Sequence, residues 1–205
     1  MVAFGLIGST AILLAAIALF DRQAMAAALY YLPHTTLTAA FLFLLTDLIM
    51  RWRGTEGDAI VCTPPYAGQA RLAFLFLAAG VALAGLPPLS GFIGKLLILQ
   101  ATLNTPWWPA IWTLILGTSL IAVIGLARAG STLFWKRSDG PSQSAGRDSP
   151  DMAEAAPCFF LLALLVGLTA AAGPVTAYAD ATSRQLFDAA AYARAVLPAA
   201  QEDAE

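Results

Sequence analysis

Two ionisable side chains lie inside long apolar stretches, where charges are rare. Lys95 lies in LAGLPPLSGFIGKLLILQ (83–100), and His34, the sole histidine, lies in ALYYLPHTTLTAAFLFLLTDLI (28–49). A lysine or aspartate at the centre of a membrane helix costs about 2.5–3.5 kcal/mol even on insertion scales, and such residues usually carry function. Burial disfavours the charged form of lysine, and free histidine titrates near neutral pH. Both residue types therefore suit proton transfer across a membrane.

The segment around Lys95 is predicted to be a broken helix. Two consecutive prolines remove backbone donors and disfavour the α conformation of the preceding residue, so a helix arriving from Leu72 should stop before them. Ser90 can cap a second half-helix that starts just beyond. Half-helix ends of this kind line ion sites in transporters. We expect a non-helical interruption within 84–91, with Gly85, Pro87, Pro88 and Gly91 as its hinge residues.

Other polar residues near His34 and Lys95 are candidates for a relay or for channel lining. We place Thr38, Ser90 and Asp47 in this class. Of the three threonines at positions 35, 36 and 38, at least two are expected to bond back to their own helix. His34 lies about ten residues into its helix, ~15 Å from the end and near mid-bilayer, where a neighbouring carbonyl is the alternative to a functional partner. Asp47 lies near the interface, where an N–H or lysine-like partner is expected.

Composition points to an integral membrane protein. Of the 205 residues, 59% are hydrophobic and 12% charged, and the mean hydropathy is +0.73. The hydrophobic content is far above the roughly 45–50% of a soluble domain. No basic run indicates nucleic acid. Cys62 and Cys158 lack metal-binding spacing and are interpreted as free thiols. Phosphate loops, nucleophile elbows and zinc signatures are missing from the sequence, so we expect no catalytic residues, metal or cofactor.

The hydropathy pattern predicts an all-α membrane protein with about five crossings, one of them the broken helix, and a C-terminal amphipathic helix. The tail helix would place Leu186, Phe187, Arg194 and Leu197 at helical spacing. Gly173-Pro174 should end the last crossing. We assign 1–178 to the transmembrane domain and 179–205 to a surface tail. The crossings are expected at about 2–20, 24–50, 72–103, 110–135 and 157–172.

Charge predicts the orientation. If the broken segment crosses once, the arginines and lysine of the loops around 51–71 and 136–147 all lie on one side. The positive-inside rule then makes these loops cytoplasmic and places Trp107, Trp108 and the C-terminus outside the cell (inner or plasma) membrane. An apolar run follows Met1 at once, without a basic leader. We interpret the chain as truncated or as part of a split subunit.

The two segments quoted above resemble the proton-translocating antiporter subunits shared by Mrp-type cation/proton antiporters and respiratory complex I. The motif AGLPPLSGFIGKLLILQA (84–101) is specific to that superfamily and most resembles the D subunit of the Mrp antiporters. The resemblance covers nearly the whole chain. It corresponds to the C-terminal part of a subunit about twice this long, whose two inverted halves each contain a broken helix and a half-channel.

The resemblance implies roles for individual residues. Lys95 matches the lysine of the GFxGK motif, a proton carrier in the family, and His34 matches the histidine of the preceding channel helix. Thr38 stands where many members have a lysine, a departure that implies more reliance on His34 and water. The implied partners are other membrane subunits, protons, Na⁺ or K⁺ and the lipid bilayer.

Three functions remain open at this point. The resemblance favours a membrane subunit of a Na⁺ or K⁺/proton antiporter, a transporter subunit and not an enzyme. The alternatives are a proton-pumping membrane-arm subunit of a complex I-type NADH:quinone oxidoreductase or a membrane-bound hydrogenase, and a purely structural membrane piece. Neighbouring genes would separate the first two, since small antiporter subunits would accompany one and redox subunits the other.

Overall fold

The computed structural model describes residues 2–53, 59–62, 64, 66, 68–136, 152–190 and 193. Every regular element in these ranges is helical, which confirms the predicted all-α class. A π-helical turn at Ser131–Trp135 extends the fifth helix. The helices are α1 (Val2–Ala18), α2 (Arg22–Arg53), α3 (Gln69–Ala84), α4 (Ser90–Thr102), α5 (Trp108–Gly130), α6 (Met152–Ala170) and α7 (Ala172–Leu186).

Three helices in the described ranges are long and apolar enough to cross a membrane. These are Arg22–Arg53, the combined α5 and π turn at Trp108–Trp135, and Met152–Ala170. Two shorter apolar helices, Val2–Ala18 and Gln69–Ala84, accompany them. The chain is therefore an integral membrane protein, whereas the count of five crossings stays a prediction.

Helix α2 is the centre of the bundle and packs against α1, α3, α4, α6 and α7. Its 32 residues extend for about 48 Å at 1.5 Å per residue. Tyr30, Tyr31 and Phe41 are fully buried along it. The buried polar side chains of α2 lie away from lipid, so each must bond either to another helix or back to the backbone of α2 itself.

Helices α6 and α7 run antiparallel to α2 over its whole length. At one end the indole nitrogen of Trp52 donates to a carboxylate oxygen of Glu154 at 2.8 Å. At the other end the Ser183 hydroxyl donates to the Arg22 carbonyl at 2.6 Å. The two hydrogen bonds join the start of α6 and the end of α7 to opposite ends of α2.

The last predicted crossing, at about 157–172, corresponds to α6, which ends at Ala170, close to the predicted end. The helix is interrupted only at Ala171, and α7 resumes at Ala172. Gly173-Pro174 lies in the first turn of α7, where proline is tolerated because the backbone N–H has no partner within the helix. Ala179 and Ser183, one turn apart, are the buried face of α7.

The predicted tail helix is only partly within the described residues. Leu186 ends α7 and Phe187 follows it, both exposed, while Arg194 and Leu197 lie outside the described residues. The boundary between 1–178 and 179–205 falls within α7, and that division stays a prediction.

The broken helix is confirmed. Gly85 adopts a left-handed conformation, with φ 70° and ψ 43°, that favours glycine because it has no side chain. Its N–H donates to the carbonyls of Val81 and Ala82, and that of Leu86 to Val81, which ends α3 in a Schellman-type turn. Leu86–Leu89 then connects the two half-helices through a cis Pro87–Pro88 bond.

The predicted capping role of Ser90 is wrong. Leu89 is the N-cap residue of α4, in extended conformation, and the cap makes no side-chain hydrogen bond. Ser90 is already the first helical residue, and its side chain is fully buried and bonded to a different helix.

Candidate functional site

Lys95 is buried at the break and bonded to neutral groups. Its side chain is only 8% exposed. Its ammonium nitrogen donates to the carbonyl oxygen of Ala84 at 2.8 Å and to the hydroxyl oxygen of Ser119 at 2.9 Å. Ala84 is the last residue of α3, where carbonyls lack partners within the helix and carry partial negative charge. The interruption of the helix thus creates the acceptor that holds the lysine.

Gly85 gives Lys95 the space to reach that carbonyl. A Cβ added at Gly85 would lie 2.7 Å from Cδ of Lys95 and 3.0 Å from its Nζ. Gly85 therefore has two roles: it adopts the left-handed turn, and it leaves space for the Lys95 side chain.

His34 faces the other side of the same break. It is 1% exposed, and its Nδ1 lies 2.9 Å from the hydroxyl oxygen of Ser90. The imidazole also interacts with the backbone of Ala82, so the neighbouring carbonyl considered from sequence is present as well. Lys95 is thus bonded to the end of α3, and His34 to the start of α4.

The three threonines after His34 divide as expected. Thr35 donates to the Tyr31 carbonyl at 2.8 Å, and Thr36 to the Leu32 carbonyl at 3.0 Å. Thr38 differs, because its buried hydroxyl lies 3.4 Å from Nε2 of His34, longer than a usual hydrogen bond. Hydroxyls therefore flank both ring nitrogens of the histidine.

Two glycines let α4 pack directly against α2. A Cβ at Gly91 would lie 2.5 Å from Nε2 of His34 and 2.9 Å from the Ala82 carbonyl oxygen. A Cβ at Gly94 would lie 2.5 Å from a ring carbon of Tyr31. Gly91 is thus inside α4 and in contact with the site, whereas Gly85, Pro87 and Pro88 form the break itself.

Comparison with known sequences identifies the family. Residues 1–122 match the transmembrane family described as NADH:quinone oxidoreductase/Mrp antiporter. The chain belongs to this family. The match includes α1 to α4 and most of α5, and therefore every residue of the site around Lys95 and His34.

Individual members of the NADH:quinone oxidoreductase/Mrp antiporter family match almost the whole chain. The D subunit of the probable K(+)/H(+) antiporter of Rhizobium meliloti is 30% identical, over 96% of this chain and 41% of its own length. The D subunit of the Na(+)/H(+) antiporter of Bacillus subtilis is 28% identical, over 96% and 39%. The resemblance to the Mrp D subunit is thus confirmed, and the chain spans about two fifths of the length of these relatives.

A solved structure of the Mrp complex from Dietzia sp. DQ12-45-1b contains a chain with the same fold. The TM-score is 0.75 at 22% identity, over 96% of this chain and 44% of that chain. This similarity shows the arrangement of the helices.

Asp47 takes no part in the contacts around Lys95 and His34. Its carboxylate forms an ion pair of 2.8 Å with Arg51, one turn further along α2, and the two side chains are 53% and 64% exposed. The expected surface partner is therefore present, as an arginine. Its role as a relay or channel-lining residue stays a prediction, as do those of Thr38 and Ser90.

The sequence does not predict two polar contacts of the site. Ser119 of α5 is the second partner of Lys95, and Ser9 of α1 lies 2.8 Å from the phenol oxygen of Tyr31. The Tyr31 ring in turn lies 5.5 Å from the His34 ring. Serines inside apolar helices were the available signal, but the choice of partner depends on how the helices are arranged. Among the described residues, no group of three or more His, Cys, Asp or Glu is placed to hold a metal.

Replacing Ser90 with alanine is expected to lower the stability of the site by about 1–3 kcal/mol, because a buried ring nitrogen loses its partner. The melting temperature of the detergent-solubilised complex measures the effect. Thr36→Val is the matched control, since it removes an exposed hydroxyl bonded within the same helix. Equal melting temperatures for the two variants would show that the Ser90 contact is dispensable.

Proposed function

We propose that this chain is part of a membrane subunit of a monovalent cation/proton antiporter, and that it forms a proton half-channel around Lys95 and His34. The names of the relatives support this proposal, because they describe antiporters that exchange H⁺ for K⁺ or for Na⁺. Under this proposal the chain is a transporter subunit, and other membrane subunits are its partners.

The observation that carries the proposal is the set of partners of Lys95. A lysine paired with a carboxylate is held in its charged form, because loss of the proton would leave a buried anion unpaired. Here both described partners, Ala84 and Ser119, are neutral. A hydroxyl can accept from the ammonium and donate to the free amine, while the carbonyl accepts from either. The lysine can therefore load and release a proton within one set of contacts.

His34 suits the role of relay for similar reasons. The Ala82 carbonyl can only accept from the ring, whereas the Ser90 hydroxyl can donate to Nδ1 or accept from it. The Ser90 contact can therefore serve both the neutral and the protonated ring. Because Lys95 holds the end of α3 and His34 the start of α4, a shift of either half-helix changes the surroundings of a proton-binding group.

The proposed orientation places the basic end of the bundle in the cytoplasm of a bacterial cell. The Gln69 amide donates to the Phe134 carbonyl at 2.7 Å, which joins the start of α3 to the end of α5. A second hydrogen bond, between Trp52 and Glu154, joins the end of α2 to the start of α6. The cationic residues near these four helix ends are Arg51, Arg53, Arg71 and Lys136. The positive-inside rule assigns them to the cytoplasm.

The proposal is tested with the complete complex in everted membrane vesicles of a bacterium without other Na⁺ or K⁺/proton antiporters. A fluorescent probe follows the pH gradient. Addition of Na⁺ or K⁺ salt is expected to dissipate the gradient, whereas choline chloride is not. A gradient that only responds to NADH or another redox substrate would instead support the complex I-type alternative, whose subunits share the family.

Replacing Ser119 with alanine is expected to slow cation-dependent proton movement by about tenfold, the effect of losing a hydrogen bond to a charged group. The initial rate of gradient dissipation in the same vesicles provides the measurement. Thr118→Val is the control, because the Thr118 hydroxyl bonds to the Leu114 carbonyl of its own helix. Equal rates for both variants would remove Ser119 from the proposed mechanism.

A further inference from the structure

A cavity of about 360 Å³ lies between α1 and α5, with α2 and α3 behind it. Its walls include Gly8 of α1, Leu45 of α2, Leu83 of α3, Lys95 of α4, and Ser119 and Gly125 of α5. Phe4 and Ile121, which also line it, are 80% and 70% exposed. The mouth of the cavity therefore lies at the surface of the described helices, between α1 and α5.

Lys95 is the charged group of the cavity, and its ammonium has one N–H more than its described partners accept. Thr46 and Thr118 bond back to carbonyls of their own helices, and Ser9 is bonded to Tyr31. The Lys95 ammonium has three N–H donors and two acceptors among the described residues. A mostly apolar cavity thus contains one cation with an unused donor among the described contacts.

Size limits what can enter. Small-molecule sites usually measure about 300–1,000 Å³ and are mostly apolar with a few polar groups, so this cavity is near the lower limit. A helix about 10 Å across with a pitch of 5.4 Å would place barely one turn in this volume. A single alkyl chain fits the cavity better than a partner helix or a two-chain lipid does.

We propose that the cavity binds a fatty acid from the bilayer, with its alkyl chain between α1 and α5 and its carboxylate against Lys95. Charge complementarity selects the carboxylate, and the exposed mouth between α1 and α5 admits the alkyl chain. A carboxylate in this position would hold the lysine in its charged form. The fatty acid would therefore inhibit proton release, a consequence that rests on the proposed function.

Photolabelling of the complete complex with a diazirine derivative of dodecanoic acid tests the binding. Mass spectrometry is expected to find the label on α1 and α5, and unlabelled dodecanoic acid to compete about tenfold better than dodecan-1-ol, because the alcohol lacks the charge that hydrogen-bonds to Lys95. Equal competition by the alcohol would overturn the proposal.

Filling the cavity provides matched variants. A Cβ at Gly8, Gly125 or Gly117 meets no atom within 4 Å, so a side chain introduced at each position does not clash at its Cβ. Gly8→Leu and Gly125→Leu, from opposite walls, are expected to reduce labelling several-fold, whereas Gly117→Leu, outside the cavity lining, is expected to leave it unchanged. Unchanged labelling in both cavity variants would overturn the proposal.

Substitutions of Lys95 separate this proposal from the proposed function. Lys95→Gln removes the cation and is expected to weaken labelling about tenfold, whereas Lys95→Arg retains the cation and the labelling. Transport should be lost in both if the lysine carries a proton. Labelling that is insensitive to Lys95→Gln contradicts the fatty acid site, and transport that survives Lys95→Arg contradicts the proton step.

Discussion

Replacing Lys95 with arginine is expected to stop proton-coupled cation exchange by the assembled complex. Arginine preserves the positive charge but does not deprotonate within a protein. A loss of about 100-fold or more is expected, as when a positioned proton donor is removed. The rate of gradient dissipation in vesicles is the measurement, together with the amount of assembled complex in the membrane.

The second lysine of the sequence provides the control. Lys136 follows the π turn at the end of α5, outside the site, so Lys136→Arg should exchange cations at the wild-type rate. Lys95→Ala should also be inactive yet assembled, because removing a charge from lipid costs the fold little. His34→Ala should slow exchange less severely, since water can replace a relay. Wild-type rates with arginine at position 95 across the pH range would leave Lys95 as an electrostatic or structural anchor.

Replacing Gly91 with alanine is expected to destabilise the site strongly, although it adds only one methyl group. The new Cβ would approach the buried His34 ring at 2.5 Å and the Ala82 carbonyl oxygen at 2.9 Å. Neither neighbour has room to withdraw, because His34 is 1% exposed and Ala82 is part of a helix backbone. Overpacking of this kind costs about 1–3 kcal/mol.

The melting temperature and the yield of assembled complex measure the effect of Gly91→Ala. Gly117→Ala is the control, since its Cβ would meet no atom within 4 Å and alanine favours helix formation over glycine. The control should be neutral or slightly stabilising. A Gly91→Ala complex as stable as wild type would mean that α4 can move away from α2 at little cost.

The ionisable residues of the candidate site can be predicted from the sequence, because charged side chains are rare within apolar segments. Lys95 and His34 are conspicuous in apolar stretches, and paired prolines predict a break wherever they fall. Thr35 and Thr36 followed the local rule that buried threonines bond to their own helix. These inferences depend on contacts within about four residues along the chain.

The partners could not be predicted, because they come from distant parts of the chain. Ser119 reaches Lys95 from another helix, and Ser90 bonds to His34 across 56 residues. The local sequence around Ser90 predicts a cap, because it contains no sign of the distant histidine. Helix α7 could not be predicted for the same reason: Gly173-Pro174 resembles a stop signal, but a new helix begins at Ala172 and packs along α2.

The hydrogen bonds at the two ends of α2 restrict how this bundle can move. Trp52 is tied to α6 and the Arg22 carbonyl to α7, and a piston-like slide of α2 along α6 and α7 would have to break both ties. The two ties hold α2, and with it His34, in place along α6 and α7. Under the proposed function, the two half-helices can turn or tilt at the Gly85 joint without breaking either tie.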